Sequence, residues 1–166
     1  MRIGLFATCL VDLMRPEIGF SVLKLLESAG YEVMVPEAQT CCGQPAYNSG
    51  ERMVSRDLAE KFLREFEMFD YVVVPSGSCG GMIRHHYQDL LRDDPELHGR
   101  YERLRERVFE LTDFLVNVAI SGEQVRIPIQ IVVKKENTKG QAEKAGPPHR
   151  GRGSFIDEQS IALVVI

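Results

Sequence analysis

Short apolar runs alternate, along the first part of the chain, with longer segments in which apolar residues recur every three to four positions. Such runs are typical of buried parallel strands, and such recurrence is typical of helices that bury one stripe. The apolar runs predict three strands, near residues 2–7, 32–35 and 71–74. The recurring patterns predict three main helices, near residues 16–29, 49–68 and 79–92. This alternation indicates an α/β fold, a small parallel sheet with flanking helices.

Single residues refine the ends and faces of these helices. Pro16 suits the first turn of the first helix, and Gly30 suits its C-terminal cap. In the second helix the spacing of apolar residues predicts an inward position for Met53. Pro95 is expected to begin a further charged helix, and the pattern of residues 108–118 predicts a last amphipathic helix.

The character of the chain changes after residue 118. Acidic residues outnumber basic ones before that point, whereas basic residues prevail after it. Residues 125–133 predict a strand, and Pro128 places it at a sheet edge. Residues 134–154 are polar and rich in Lys, Gly and Pro, which predicts disorder. We therefore expect a cysteine-rich domain at residues 1–118 and a divergent, largely disordered tail at residues 119–166.

Composition narrows the class of protein. The 166 residues carry a formal net charge of -4, with 44% hydrophobic and 27% charged residues. Such a chain is long enough for one domain, and its charge gives no reason to expect nucleic acid as a partner. No apolar run is long enough to span a bilayer, and Asp12 interrupts the N-terminal apolar run before a signal peptide is complete. We therefore expect a cytoplasmic protein without membrane insertion.

All four cysteines follow predicted strands. Cys9 lies in the predicted loop of residues 8–15 after the first strand, Cys41 and Cys42 follow the second strand, and Cys79 follows the third. Because the carboxyl ends of parallel strands meet at one edge of a sheet, we expect the four thiols to share one site there. Cys79 is expected to open a helix, whose N-terminal dipole lowers the pKa of a thiol.

Four thiols in a cytosolic chain favour metal or redox chemistry over disulfides. Iron–sulfur clusters are often held by four cysteines, and zinc also accepts four thiolates in a closed tetrahedron, so both metals fit the count. The long gaps between the cysteines do not resemble a zinc knuckle or ribbon. Gly43, Gly77 and Gly80 are expected to line the common hollow. The alternative interpretation is that the cysteines are small buried residues near the ends of loops.

Several motifs, in order along the chain, resemble the first cysteine-rich CCG domain of a known family. They are Thr8-Cys9, Cys41-Cys42-Gly43-Gln44-Pro45-Ala46 with Asn48-Ser49-Gly50, and Pro75-Ser76-Gly77-Ser78-Cys79. The family comprises the lactate-utilisation iron–sulfur proteins, the glycolate oxidase iron–sulfur subunit and a cysteine-rich subunit of heterodisulfide reductase. The resemblance covers residues 1–118 and is most specific to the lactate-utilisation protein A group.

The resemblance implies an iron–sulfur electron-transfer subunit in the oxidation of L-lactate or a related 2-hydroxy acid. It implies a cluster, most simply of the 4Fe–4S type, on Cys9, Cys41, Cys42 and Cys79, and other subunits of an oxidation complex as partners. The alternative function is a structural zinc domain that mediates assembly without a redox role. No stand-alone catalytic residue is expected.

Two features depart from the family pattern. Ser76 stands where the full motif has a cysteine, a departure that the lactate-type proteins share. No cysteine follows Cys79, although the family normally carries a second CCG domain. We therefore expect a chain that is truncated to its first CCG domain, or one whose second domain is supplied by another chain.

Overall fold

The structure, a computed structural model, describes residues 1–119. They form a parallel sheet with helices on both faces, which confirms the predicted α/β fold. The strands are β1 (Arg2–Leu5), β2 (Glu32–Met34), β3 (Tyr71–Val74) and β4 (Val108–Glu110). The α-helices are α1 (Cys9–Met14), α2 (Pro16–Ser28), α3 (Gln44–Asn48), α4 (Arg52–Phe66), α5 (Gly77–Gly81), α6 (Tyr87–Leu91), α7 (Pro95–Arg105) and α8 (Leu111–Phe114). Two π-helical segments, Met82–His86 and Leu115–Ala119, continue α5 and α8.

The strand order is β2-β1-β3-β4, and every neighbouring pair is parallel. The chain therefore moves outward from β1 to β2 and then crosses back over β1 to form β3. Where the direction of winding reverses in this way, the loops after the two central strands diverge and leave a crevice beyond their carboxyl ends. In this sheet the reversal lies between β1 and β3.

Side chains of the strands alternate between two cores, one on each face of the sheet. Ile3, Leu5 and Val73 pack with Val22 and Leu26 of α2 and with Phe114 of α8. Val72, Val74 and Val108 face the other core, which α4, α6 and α7 complete with Phe62, Leu63, Phe66, Tyr87, Leu91, Tyr101 and Leu104. The domain is thus a three-layer arrangement of helices, sheet and helices, which buries both faces of the parallel strands.

Gly4 lies in the middle of β1, where the backbone approaches aromatic rings closely. A Cβ atom at this position would lie 2.6 Å from Cδ2 of Phe69 and 2.9 Å from Cδ1 of Phe66. Both phenylalanines, at the end of α4 and just after it, are buried in the close-packed core, so their rings cannot move away easily. Only a residue without a side chain fits here, and this lets α4 sit close to the sheet.

Two predicted segments form a different type of element in the structure. Residues 8–15, predicted as a loop, contain α1, which is capped by the Thr8 side chain, whose oxygen accepts a hydrogen bond from the Val11 amide at 3.4 Å. The helix has only six residues, and its apolar residues at helical spacing, Leu10, Leu13 and Met14, are exposed, whereas Val11 is buried. The prediction of one helix over residues 108–118 is also wrong, because Val108–Glu110 forms β4 and the helix starts only at Leu111.

The second predicted helix is also more divided than expected. Gln44–Asn48 forms the separate helix α3, and α4 begins only at Arg52. Met53 was predicted to point inward, but its side chain is 72% exposed because the buried face of α4 starts at Ser55. Pro16 and Gly30 hold the predicted places, Pro16 as the first residue of α2 and Gly30 at a φ of 87° just after it.

The predicted strand at residues 125–133 and the predicted disorder of residues 134–154 lie outside the described residues. The division into a domain at 1–118 and a tail at 119–166 therefore stays a prediction. Within residues 1–119, none of the helices has the length and apolar character needed to cross a membrane.

Candidate functional site

The four cysteines lie at the carboxyl edge of the sheet, on the segments that follow three neighbouring strands. Cys9 is the first residue of α1, just after β1, and Cys79 lies in α5, just after β3. Cys41 and Cys42 lie between β2 and α3. All four thiols are free; Cys42 and Cys79 are buried, whereas Cys9 and Cys41 are half-buried. The structure thus brings the four predicted residues to the crevice where the winding of the sheet reverses.

The thiols form two hydrogen-bonded pairs, Cys9 with Cys41 and Cys42 with Cys79. The pairs are not isolated from each other, because Cys9 also interacts electrostatically with Cys79, and Cys42 with Cys41. Each pair joins thiols from different loops. The sulfur atoms of three chain segments therefore form one group.

Cys79 differs from Cys9 and Cys42 of this group in having a lowered pKa. The Cys42 thiol donates a hydrogen bond to the Cys79 sulfur and, against the opposing effect of burial, lowers the pKa of Cys79 to about 6. The hydroxyls of Ser76 and Ser78 add to the lowering. The same bond, followed by burial, raises the pKa of Cys42. The pKa of Cys79 is lowered as the sequence predicted, but through these hydrogen bonds.

Gly43 turns the chain directly after the cysteine pair. Its φ of 84° is in the left-handed region, which favours glycine over residues with a side chain. In this conformation the Gly43 amide points back and donates a hydrogen bond to the sulfur of Cys41 at 3.4 Å. The backbone carbonyl of Gly43 then accepts from the Tyr47 amide at 2.9 Å and starts α3. The glycine of the Cys-Cys-Gly motif is therefore needed for the local path of the backbone.

Tyr87 contacts the cysteine pair, although no motif in the sequence singled it out. Its side chain is fully buried, and its hydroxyl donates a hydrogen bond to the Cys42 carbonyl at 2.9 Å. Burial raises the pKa of Tyr87 well above its ordinary value, so the phenol stays protonated and can donate. The available signal was the helical spacing of Tyr87 from Ile83, Leu90 and Leu91, which predicts a buried ring, and a buried hydroxyl requires a partner.

A cleft of about 360 Å³ opens beside the Cys9–Cys41 pair. It lies between the segments that follow β1 and β2, and Asp12, Gln39 and Thr40 are among its polar lining residues. The sequence predicts a hollow lined by Gly43, Gly77 and Gly80. The cleft is a different space, because none of these glycines lines it. The lining residues are Ala7, Cys9, Asp12, Leu13, Val35, Pro36, Glu37, Gln39, Thr40 and Cys41.

The donors fit some metal groups better than others. Within residues 1–119, no three side chains of His, Cys, Asp or Glu converge as closely as a single bound ion requires. The donors are instead four thiols in two pairs, all of them soft ligands. A cluster of several iron atoms distributes its thiolates over different irons, whereas one zinc ion gathers all four at about 2.3 Å. The number and type of the thiols therefore fit an iron–sulfur cluster, and four thiolates also suit zinc.

Fold and site together define a small cysteine-rich α/β domain, with its thiols at the carboxyl edge of a parallel sheet. Residues 3–84 match the cysteine-rich domain family called CCG, and the chain belongs to this family through that domain.

The relatives agree with this assignment. The chain is 46% identical to lactate utilization protein A 2 of Bacillus cereus strain Q1 and 48% identical to lactate utilization protein A of Geobacillus thermodenitrificans. Each alignment spans 118 residues, which are 71% of this chain and 49% of the relative. The chain thus spans about half the length of these curated relatives. No solved structure is significantly similar to it.

Proposed function

We propose that the domain holds an iron–sulfur cluster of the 4Fe–4S type on Cys9, Cys41, Cys42 and Cys79. The observation that carries the proposal is the pairing of these thiols at one edge of the sheet, Cys9 with Cys41 and Cys42 with Cys79. Four soft donors from three separate segments are a set that iron–sulfur clusters use. A structural role for buried cysteines alone does not require such a grouping.

The surroundings of the thiols suit a redox group. When bound, such a cluster takes up and releases single electrons, at a potential that depends on burial and on hydrogen bonds to sulfur. Here the Gly43 amide donates to the Cys41 sulfur, and the hydroxyls of Ser76 and Ser78, which are 3.3 Å apart, lower the pKa of Cys79. These donors stabilise negative charge on the ligands. Cys9 and Cys41 border the open cleft, which gives a redox partner its nearest approach.

The biological role that we propose is electron transfer in the oxidation of L-lactate or a related 2-hydroxy acid. The relatives named as lactate utilization proteins support this substrate class. The resemblance to these relatives implies other subunits of an oxidation complex as partners, and we propose that the domain works with them. The partner subunits would receive or supply the electrons, and the domain would not act alone as a catalyst.

Metal analysis after anaerobic purification tests the proposal. We expect a brown protein with about four iron and about four sulfide per chain. We expect Cys79→Ala to lose the iron and the visible absorbance while its circular dichroism stays that of the parent. Met82→Leu is the matched control, since it removes a buried sulfur one turn further along without removing a thiol.

The same measurement decides between the two functions. A colourless protein with stoichiometric zinc would support the structural zinc domain and contradict the redox role. Iron content that is unchanged in Cys79→Ala would exclude Cys79 from the site.

A further inference from the structure

One continuous helical rod carries two contacts to Cys42. The rod consists of α5, the π-helical segment Met82–His86 and α6, and its residues keep right-handed helical dihedrals from one part to the next. Near its start, the Cys79 sulfur accepts the hydrogen bond of the Cys42 thiol. Two turns later, the Tyr87 hydroxyl donates to the Cys42 carbonyl. The rod therefore holds Cys42 by both its side chain and its backbone.

The Tyr87 contact is made in the core of the domain. Tyr87 is 0% exposed and Cys42 is 2% exposed, so water does not replace this bond easily. The ring of Tyr87 packs against Phe62 of α4, with the centroids 5.8 Å apart, and this fixes the direction of the hydroxyl. A buried carbonyl that loses its donor is left unsatisfied, so the loop that carries Cys42 would be free to shift toward other donors.

The π-helical segment determines which way Tyr87 points. A π-helical turn closes its hydrogen bonds over one residue more than an α-helical turn, so it changes the face on which later residues lie. The hydroxyl of the buried Tyr101 is 3.0 Å from the Ile83 carbonyl and 2.9 Å from the Arg84 carbonyl, and the two acceptors share its single proton. The irregular turn is thus built into the core, directly between the two residues that hold Cys42.

We propose that Tyr87 is a positioning residue of the thiol site. Its hydroxyl fixes the peptide of Cys42, and this keeps the Cys42 thiol against Cys79 on the same rod. The inference rests on the proposed function only for the identity of the group that the thiols bind. Residues that orient metal ligands in this way typically change metal retention about 10-fold to 100-fold when they are replaced.

Tyr87→Phe is the test, because it keeps the ring and removes only the hydroxyl. The control is Leu90→Val, a mild truncation of another buried residue on α6, whose side chain has no hydrogen-bonding group to lose. Two measurements are made on the full chain. The first is the rate of iron loss to a chelator from the loaded protein. The second is the rate at which iodoacetamide alkylates Cys42 in the metal-free protein, read by peptide mapping.

We expect Tyr87→Phe to lose iron about tenfold faster than the parent and to expose Cys42 to alkylation, whereas Leu90→Val stays near the parent in both. Equal changes in the two variants would mean a general loss of stability and would overturn the proposal. If the parent holds no iron, the proposed function fails, yet alkylation still decides the role of Tyr87. An unchanged alkylation rate in Tyr87→Phe would then overturn it.

Discussion

The thiol of Cys42 donates a hydrogen bond to the sulfur of Cys79, so a side chain from the segment after β2 touches one from the helix after β3. The contact lowers the pKa of Cys79 and raises the pKa of Cys42. It therefore makes the two neighbouring thiols chemically different, although both are buried.

The first prediction concerns the pH dependence of Cys79. Its pKa is lowered to about 6 from an ordinary value of 9.0, so the thiol is protonated below about 6 and ionised above it. Because the thiolate is the nucleophile, the alkylation rate of Cys79 in the metal-free protein should rise through a midpoint near 6. Ser76→Ala should move the midpoint upward, because it removes one of the donors. Peptide mapping across a pH series measures it.

The matched control for this prediction is Ser49→Ala, which removes a hydroxyl at the end of α3 without touching Cys79. We expect the same midpoint as in the parent. A midpoint that stays in place in Ser76→Ala would show that the hydroxyl of Ser76 does not act on the thiol.

The second prediction concerns Gly43. Alanine at its φ of 84° should destabilise the domain by about 1–2 kcal/mol, because a side chain strains left-handed backbone. Urea unfolding of the metal-free protein measures the change. Gly99→Ala, inside α7, is the control, where a Cβ meets nothing closer than Nη1 of Arg103 at 3.8 Å. There we expect a gain of about 0.5–1 kcal/mol. Equal effects at the two glycines would argue against a special conformation at Gly43.

The third prediction concerns the close approach at Gly4. A Cβ atom 2.6 Å from the Phe69 ring cannot be accommodated without movement, so Gly4→Ala should lower the free energy of unfolding by about 1–3 kcal/mol. Phe69→Leu should relieve part of this clash. The double variant Gly4→Ala/Phe69→Leu is therefore expected to be more stable than the two single losses imply. Additive losses in urea unfolding would mean that the contact is not the cause.

Much of the fold follows from local pattern, and the places where pattern failed have physical reasons. Strands β1, β2 and β3 coincide with short, mainly apolar runs that are separated by helical stripes, so they could be predicted. Strand β4 could not, because Val108, Leu111 and Leu115 also have the spacing of a helix stripe. Val108–Glu110 forms a strand because it pairs with the open edge of β3, where Val72 lies opposite Val108.

The candidate site shows the same division. The cysteines could be predicted because each follows a strand and the ends of parallel strands meet. The contacts that position these cysteines or shift their pKa values could not be predicted. Tyr87 reaches Cys42 only through a π-helical turn, and the pairing of Cys42 with Cys79 depends on how α5 sits against the loop after β2. Both are tertiary features without a local signature.

The fourth prediction concerns the extent of the folding unit. Within residues 1–119, two hydrophobic cores cover the two faces of the sheet. Removal of residues 120–166 should therefore leave the circular dichroism spectrum and the thermal midpoint of the domain nearly unchanged. Retained cooperative melting of the shortened chain is the expected result. Unfolding on truncation would make the C-terminal part integral to the fold.

The π-helical segment between Cys79 and Tyr87 sets the number of residues between them, and this number decides whether both side chains face Cys42. Successive residues of an α-helix are rotated by about 100° around its axis, so one residue fewer in Met82–His86 would turn Tyr87 away from Cys42 by about that angle. A chain with such a deletion would keep all four thiols and every loop that carries them. It would have lost the register between a sulfur and a hydroxyl, so helix length, as well as residue identity, specifies this site.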